Sequence, residues 1–133
     1  MGSITITQRD LERLRNLLSD AVSQSSRDYL EKLEAELNRA TIVTPEEIPA
    51  DVVTMNSTVR LVDLDTDEDM IVTLVYPDEA DIRQGKISVL APIGTGMIGY
   101  RVGDIFEWEV PEGTRRLKIA EMMYQPEAAG KDI

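Results

Sequence analysis

The chain contains neither cysteine nor histidine. That double absence removes disulfides, thiolate nucleophiles, imidazole bases and the usual zinc and copper sites together. Most hydrolytic mechanisms lose their customary base. Phe106 and Trp108 are the one Phe and the one Trp of 133 residues, so an aromatic basket for a ligand has little to be built from. No apolar run approaches the ~18 residues that a membrane span needs. Met1-Gly2-Ser3-Ile4 shows no basic start ahead of an apolar core and a cleavage site, so no secretory signal is expected and the cytoplasm is the expected compartment. Basic residues are also short, 14 against 25 acidic, for a formal charge of −11. Binding to DNA or RNA draws on Lys and Arg that displace counterions from phosphate, so no direct specific nucleic-acid contact is expected and partners should be proteins.

What remains is ordinary for a folded chain, with 42% hydrophobic and 29% charged residues, enough for one core and a small appendage. Thr7 is placed to cap a helix beginning at Gln8, Asp10 lies near the positive helix start, and Leu11, Leu14 and Leu18 recur at helical spacing. A second helix is expected over Ser26–Ala40, with Leu30, Leu33 and Leu37 on one stripe. The polar stretch Ser19–Ser25 reads as a short loop, so the two helices can bury their leucines only by folding back as an antiparallel hairpin. Pro45 and Pro49 then punctuate a linker. The expected division is a hairpin over 1–44, a linker over 45–56 and a sheet domain over 57–133. Strands are expected at Ser57–Asp63, Asp69–Tyr76, Lys86–Leu90, Asp104–Val110 and Thr114–Tyr124, runs rich in Val, Ile, Thr and aromatics between turn residues. With one short helix opened by Pro92, the fold class is α+β.

Two clusters invite chemistry that their surroundings argue against. Asp63, Asp65, Asp67, Glu68 and Asp69 have the oxygen density that hard cations prefer, but lack the glycine and distal glutamate of a calcium loop, and read as a solvated hairpin turn. Gly94, Gly96, Gly99 and Gly103 lack the Lys-Ser/Thr ending of a phosphate loop and the dinucleotide pattern. Gly103 before Asp104 reads as a positive-φ turn, and Gly94 and Gly99 as sites of close helix packing. No metal, cofactor or catalytic residue is expected.

Gly85-Lys86-Ile87-Ser88-Val89-Leu90-Ala91-Pro92-Ile93-Gly94 followed by Gly99-Tyr100-Arg101-Val102-Gly103-Asp104 resembles the C-terminal domain of the Gre transcript-cleavage factors. Asp51-Val52-Val53-Thr54-Met55-Asn56-Ser57, Leu74-Val75-Tyr76-Pro77 and Tyr124-Gln125-Pro126-Glu127-Ala128-Ala129-Gly130 are similar to the short Gre relatives known as regulators of nucleoside diphosphate kinase. The resemblance implies a twisted antiparallel sheet of the FK506-binding-protein-like type behind the hairpin. It also implies docking on bacterial RNA polymerase near the secondary channel, against the rim helices of the β′ subunit, by a protein expected to be a monomer.

By residue-for-residue match, Leu90, Ala91 and Pro92 are the implied contacts, with Ala91 in place of the family's Ser and Leu90 in place of a residue that is often polar. The family's catalytic magnesium is held by an acidic pair at a long hairpin's tip. Here the tip offers Asp20 and Asp28 outside the Asp-x-x-Glu-Asn context, on helices of about 13–15 residues and ~20 Å. The expected function is therefore a non-catalytic regulator that competes with Gre-type factors for polymerase. The rivals are a peptidyl-prolyl isomerase-like enzyme and an interaction module acting on nucleoside diphosphate kinase.

Overall fold

A computed structural model describes residues 4–24, 28–44, 46–110 and 113–130, and the side chains at 19–24, 28–32, 92 and 108–110 lie outside that description. The elements run β1 (Thr5–Thr7), α1 (Gln8–Gln24), α2 (Asp28–Asn38), β2 (Thr41–Val43), β3 (Thr58–Asp63), β4 (Asp69–Val75), β5 (Lys86–Ser88), α3 (Pro92–Met97), β6 (Ile105–Val110) and β7 (Gly113–Tyr124). The class is α+β. Among the described residues, no helix is long and apolar enough to cross a membrane.

Helix α1 begins where the cap residue directs it: the Asp10 N–H donates to Thr7 Oγ1 at 3.2 Å, which satisfies one of the unpaired donors of the first turn. Leu11, Leu14 and Leu18 are buried, as are Leu33 and Leu37 of α2. The expected loop at Ser19–Ser25 is a correction, because α1 continues through Gln24 for 17 residues. Ser and Gln are only mildly unfavourable inside a helix, and extending an existing helix adds a hydrogen bond for each residue fixed. Helix α2 covers the 11 residues Asp28–Asn38 and ends two residues before the expected Ala40, while the expected start at Ser26 lies outside the described residues.

The main sheet has five strands in the order β5-β4-β3-β7-β6. β3 is central and alternates cleanly, with Val59, Leu61 and Asp63 buried and the residues between them half-buried. Register shifts at Thr58/Val59 and Arg60/Leu61 opposite β7 bend the sheet. The all-antiparallel expectation fails at one edge, where β5 runs parallel to β4 with Thr73 opposite Lys86 and Val75 opposite Ser88. A tight turn would reverse the chain; instead, residues 76–85 carry it back through 3-10 turns at Pro77–Glu79 and Ile82–Gln84. A second parallel pair, β1 with β2, went unforeseen in the pattern. Gly103 takes φ +98°, the turn role expected of it.

The leucines of α1 and α2 join the inner face of the sheet in one hydrophobic cluster, together with Ile4 and Ile6 of the N-terminal segment, Met97 and Ile98. Residues 52–55, within the stretch expected as a linker, are buried too. Gln125, 3% exposed, fastens that stretch: its Nε2 donates to Pro49 O at 2.8 Å and Val52 O at 2.7 Å. Its Oε1 accepts the Ala128 N–H at 3.2 Å, which closes the C-terminal turn over the same spot.

Gln125→Ala leaves the buried Val52 carbonyl without its donor, while Pro49 O keeps the Val52 N–H, and should destabilise the fold by about 1–3 kcal/mol. Asp51→Ala removes only the exposed ion pair with Arg101, 3.2 Å long, and should cost under about 1 kcal/mol. Urea unfolding of both variants checks the ranking, and equal losses would show that Gln125 is not what holds this segment.

Candidate functional site

The segment singled out by sequence folds into a tight corner between β5 and α3. Val89, fully buried, donates its N–H to Val75 O at 2.9 Å and so pins the corner to β4. Ser88 shapes the turn beyond the strand, because its Oγ accepts the Leu90 N–H at 3.0 Å and its carbonyl accepts the Ala91 N–H at 3.0 Å. Ala91 is the N-cap residue of α3, with extended φ −75° and ψ 153° and no side-chain capping bond. Pro92 occupies the first turn, where the missing N–H is no loss. A Cβ on Gly94 would run into the Ser88 carbonyl, so only glycine lets α3 lie this close to the strand.

Leu90 and Ala91 are both half-buried, with Leu90 packed against the core. The Pro92 backbone is placed at the corner, while its side chain lies outside the described residues. Asp20 falls inside α1 and Asp28 opens α2; the side chains of both lie outside the described residues. Phe106 is buried at 6% exposure, and a Cβ on Gly96 would lie 2.5 Å from its ring, so this aromatic faces the interior and not a ligand. Trp108 lies on β6 with its side chain outside the description.

The acidic turn uses its own carboxylates. Asp63, 3% exposed, accepts from the N–H groups of Asp65 at 2.8 Å and Thr66 at 3.3 Å with one oxygen, while Arg115 Nη1 lies 3.4 Å from the other. The Arg116 N–H donates to Asp65 Oδ2 at 2.9 Å, and that bond holds the Asp65 carboxyl below its usual range. Among the described residues, no group of three or more His, Cys, Asp or Glu is arranged to hold a metal ion.

A polar joint that sequence reasoning missed lies between α1, residues 54–57, the end of β4 and the C-terminal turn. Asp10, 5% exposed, accepts the Met55 N–H at 3.3 Å through Oδ2. Thr54 Oγ1 donates to Glu127 Oε1 at 2.7 Å and sits 2.9 Å from Ser57 Oγ. The Tyr76 hydroxyl is buried without a hydrogen bond of good geometry. Burial, reinforced by the Asp10 carboxylate, pushes this phenol up to about 12 against the pull of Arg13. Three of the quoted motifs thus converge here, and the available signal was that each pairs hydroxyl, amide or carboxyl residues with apolar neighbours. Beside the joint, an open groove of about 590 Å³ has Arg13 and Leu17 on one wall and Asp78 and Glu79 on the other. Its mixed charges select no ligand class.

Burial raises the Asp10 carboxyl to about 6 from an unfolded value of 3.8, more than the Met55 N–H lowers it. A raised folded pKa means that the stabilisation is full below about 3.8 and is lost as pH rises through about 6. Asp10→Asn removes the buried charge and should be more stable than the parent at pH 7.5 by about 1–3 kcal/mol, the advantage shrinking towards zero by pH 4. Thermal unfolding across that range decides the point; parallel curves for parent and variant would contradict it.

Comparison with known proteins places this geometry. Residues 48–124 match the family model for the C-terminal part of the transcription elongation factors GreA and GreB, and residues 3–43 match the Rnk N-terminus. The regulator of nucleoside diphosphate kinase of Escherichia coli K12 is 42% identical over 129 residues, covering 96% of this chain and 94% of that protein. Transcription elongation factor GreA of Chloroherpeton thalassium is 46% identical over 87 residues, which are 65% of this chain and 55% of GreA. A solved structure from Nitrosomonas europaea, described as a prokaryotic transcription elongation factor GreA/GreB, is 45% identical with a TM-score of 0.77, over 93% of this chain and all of that one. The two family-model matches, the identity to the relatives and the shared fold converge on one conclusion: the chain belongs to the GreA/GreB family of transcription factors, among the members that carry the Rnk N-terminus.

Proposed function

We propose that this protein is a non-catalytic transcription regulator that docks on RNA polymerase near its secondary channel and competes there with Gre-type factors. The observation that carries the reading is the corner at residues 88–94. Its Pro92 stands at the family's position, with Ala91 where the family has Ser, and its backbone turn is held from both sides. Leu90, Ala91 and Pro92 are the proposed contacts with the β′ rim helices. The half-buried Leu90 gives its outer part and Ala91 gives no hydroxyl, so the contact is small and mostly apolar.

The same proposal takes α1 and α2 as a short antiparallel hairpin, divided from an FK506-binding-protein-like sheet domain near Pro45–Pro49, in a monomer working in the cytoplasm. At ~1.5 Å per residue, α1 reaches ~26 Å, which leaves Asp20 and Asp28 short of the polymerase active site in this arrangement. Magnesium chemistry needs an acidic pair held close to near-octahedral oxygen geometry, and the pair here is assigned no such role. Binding would then regulate by occupancy.

A second reading has the name of the Escherichia coli relative in its favour: the partner is nucleoside diphosphate kinase, and the sheet domain is an interaction module for it. An isomerase is the weakest reading, since Phe106 is committed to the interior.

Size-exclusion chromatography with core RNA polymerase, and separately with nucleoside diphosphate kinase, tests the choice of partner. Co-migration with polymerase at micromolar concentration is expected, weakened about tenfold in Pro92→Ala and reduced by excess GreA. Migration with the kinase alone would move the assignment to the second reading. In a backtracked complex the protein alone should leave RNA cleavage unstimulated and, in excess, slow cleavage by GreA. Acceleration by the protein itself would overturn the non-catalytic assignment and make Asp20 and Asp28 the first residues to replace.

A further inference from the structure

Every backbone donor from residue 89 to residue 92 is spent or missing. The Val89 N–H goes to Val75 O at 2.9 Å, the Leu90 N–H to Ser88 Oγ at 3.0 Å and the Ala91 N–H to Ser88 O at 3.0 Å; Pro92 has none. Ser88 takes two of these three bonds. Its hydroxyl bond spans two residues, the local side-chain-to-backbone pattern by which serine fixes a turn. Ser88 is half-buried, and the strand it ends is anchored at the next residue by the fully buried Val89. On the far side, α3 is pressed against the Ser88 carbonyl and the Val89 Cα, the latter lying 2.9 Å from where a Cβ on Gly94 would stand.

We infer that Ser88 is the positioning residue of the docking corner, setting the backbone path of Leu90-Ala91-Pro92 by taking the Leu90 and Ala91 N–H groups, with Gly94 as the fixed wall behind it. The inference rests on the proposed docking at this corner and adds to it a residue that does not itself touch the partner. An unbraced three-residue segment samples many backbone states and must be ordered on binding, which lowers affinity. With Ser88 in place that ordering is completed in the free protein. A second consequence concerns the partner. A corner with no free N–H, with the Ser88 and Ala91 carbonyls taken by the Ala91 and Thr95 N–H groups and with Ala91 where the family has Ser, presents mostly apolar surface, so the complementary surface is one that brings apolar side chains. The formal charge of −11 on this chain agrees with a basic counterpart around that apolar contact.

The test compares Ser88→Ala, Ser88→Cys and Ser88→Thr. Cysteine keeps the size but accepts hydrogen bonds weakly, and threonine keeps the hydroxyl. Amide exchange followed by NMR should show the Leu90 N–H exchanging about tenfold faster in Ser88→Cys, near-parental exchange in Ser88→Thr, and no change in the amides of β3 and β7. Affinity for core RNA polymerase should fall about fivefold to tenfold in Ser88→Cys and recover in Ser88→Thr at equal thermal stability. Ser88→Ala should behave like Ser88→Cys, and the cysteine variant carries the test if the smaller side chain unfolds the corner. Unchanged Leu90 exchange in folded Ser88→Cys overturns the inference. Faster exchange with unchanged affinity overturns its link to binding, whereas absence of polymerase binding by the parent protein overturns the proposed function and leaves the exchange result to decide the role of Ser88.

Discussion

Residues 52–55 are buried without belonging to a helix or a sheet, and the rest of the molecule is arranged to supply what their backbone lacks. A buried N–H or C=O without a partner costs free energy comparable to a lost hydrogen bond, so each must be satisfied from somewhere. Val53 exchanges bonds with the α3 exit, donating to Tyr100 O at 2.8 Å and accepting from the Gly99 N–H at 2.8 Å. The Thr54 N–H donates to Ser57 Oγ at 2.9 Å, and the Met55 N–H to Asp10 on α1. Val52 O accepts from Gln125 beyond the last strand. A segment expected to separate two parts thus ties the N-terminal helix, the α3 exit and the C-terminal turn to one place. Most of its hydrogen-bond partners lie far along the chain, so loosening any one of Asp10, Tyr100 or Gln125 weakens the hold on the same segment.

That arrangement explains which features could be read locally and which could not. Thr7 as a cap, the Leu11-Leu14-Leu18 stripe, the central strands and the Pro92 start of α3 each follow from residues within a few positions of one another, and each is found where the pattern put it. The parallel pairings of β1 with β2 and of β4 with β5 depend on where long connections return the chain, which no short window encodes. Ser19–Gln24 reads as a loop because Ser, Asp and Gln make it polar, yet Ala21 and Gln24 are good helix formers and an established helix needs only small increments to continue through the rest. The Leu90-Ala91-Pro92 corner was legible as a motif and Gly94 as a site of close helix packing, but the bracing by Ser88 was not. Spacing alone does not say that a hydroxyl bonds to the backbone two residues ahead.

Asp10 shows how a single position can serve conflicting demands. Near the start of α1 a carboxylate is favoured by the unpaired N–H groups of the first turn. Burial against Met55, with Glu127 nearby, opposes the same charge and wins, which is why its carboxyl is raised and not lowered. Asp63, 3% exposed, is supplied differently: one oxygen takes two backbone donors and Arg115 lies beside the other, which compensates the loss of water.

Under the proposed docking, the small size of the corner sets how the protein could compete. Three residues, one of them partly turned into the core, fall far below the area of a stable protein interface, about 800 Å² for each partner. Affinity must then come from a low ordering cost at the corner and from further contacts supplied by the helices, because an interface of this kind gains little from area alone. Both features favour rapid exchange. A factor that binds quickly, leaves quickly and blocks a shared rim without reaching the active site acts in proportion to its concentration relative to its competitors, so its influence on transcription would be set by how much of it the cell makes and not by a chemical step.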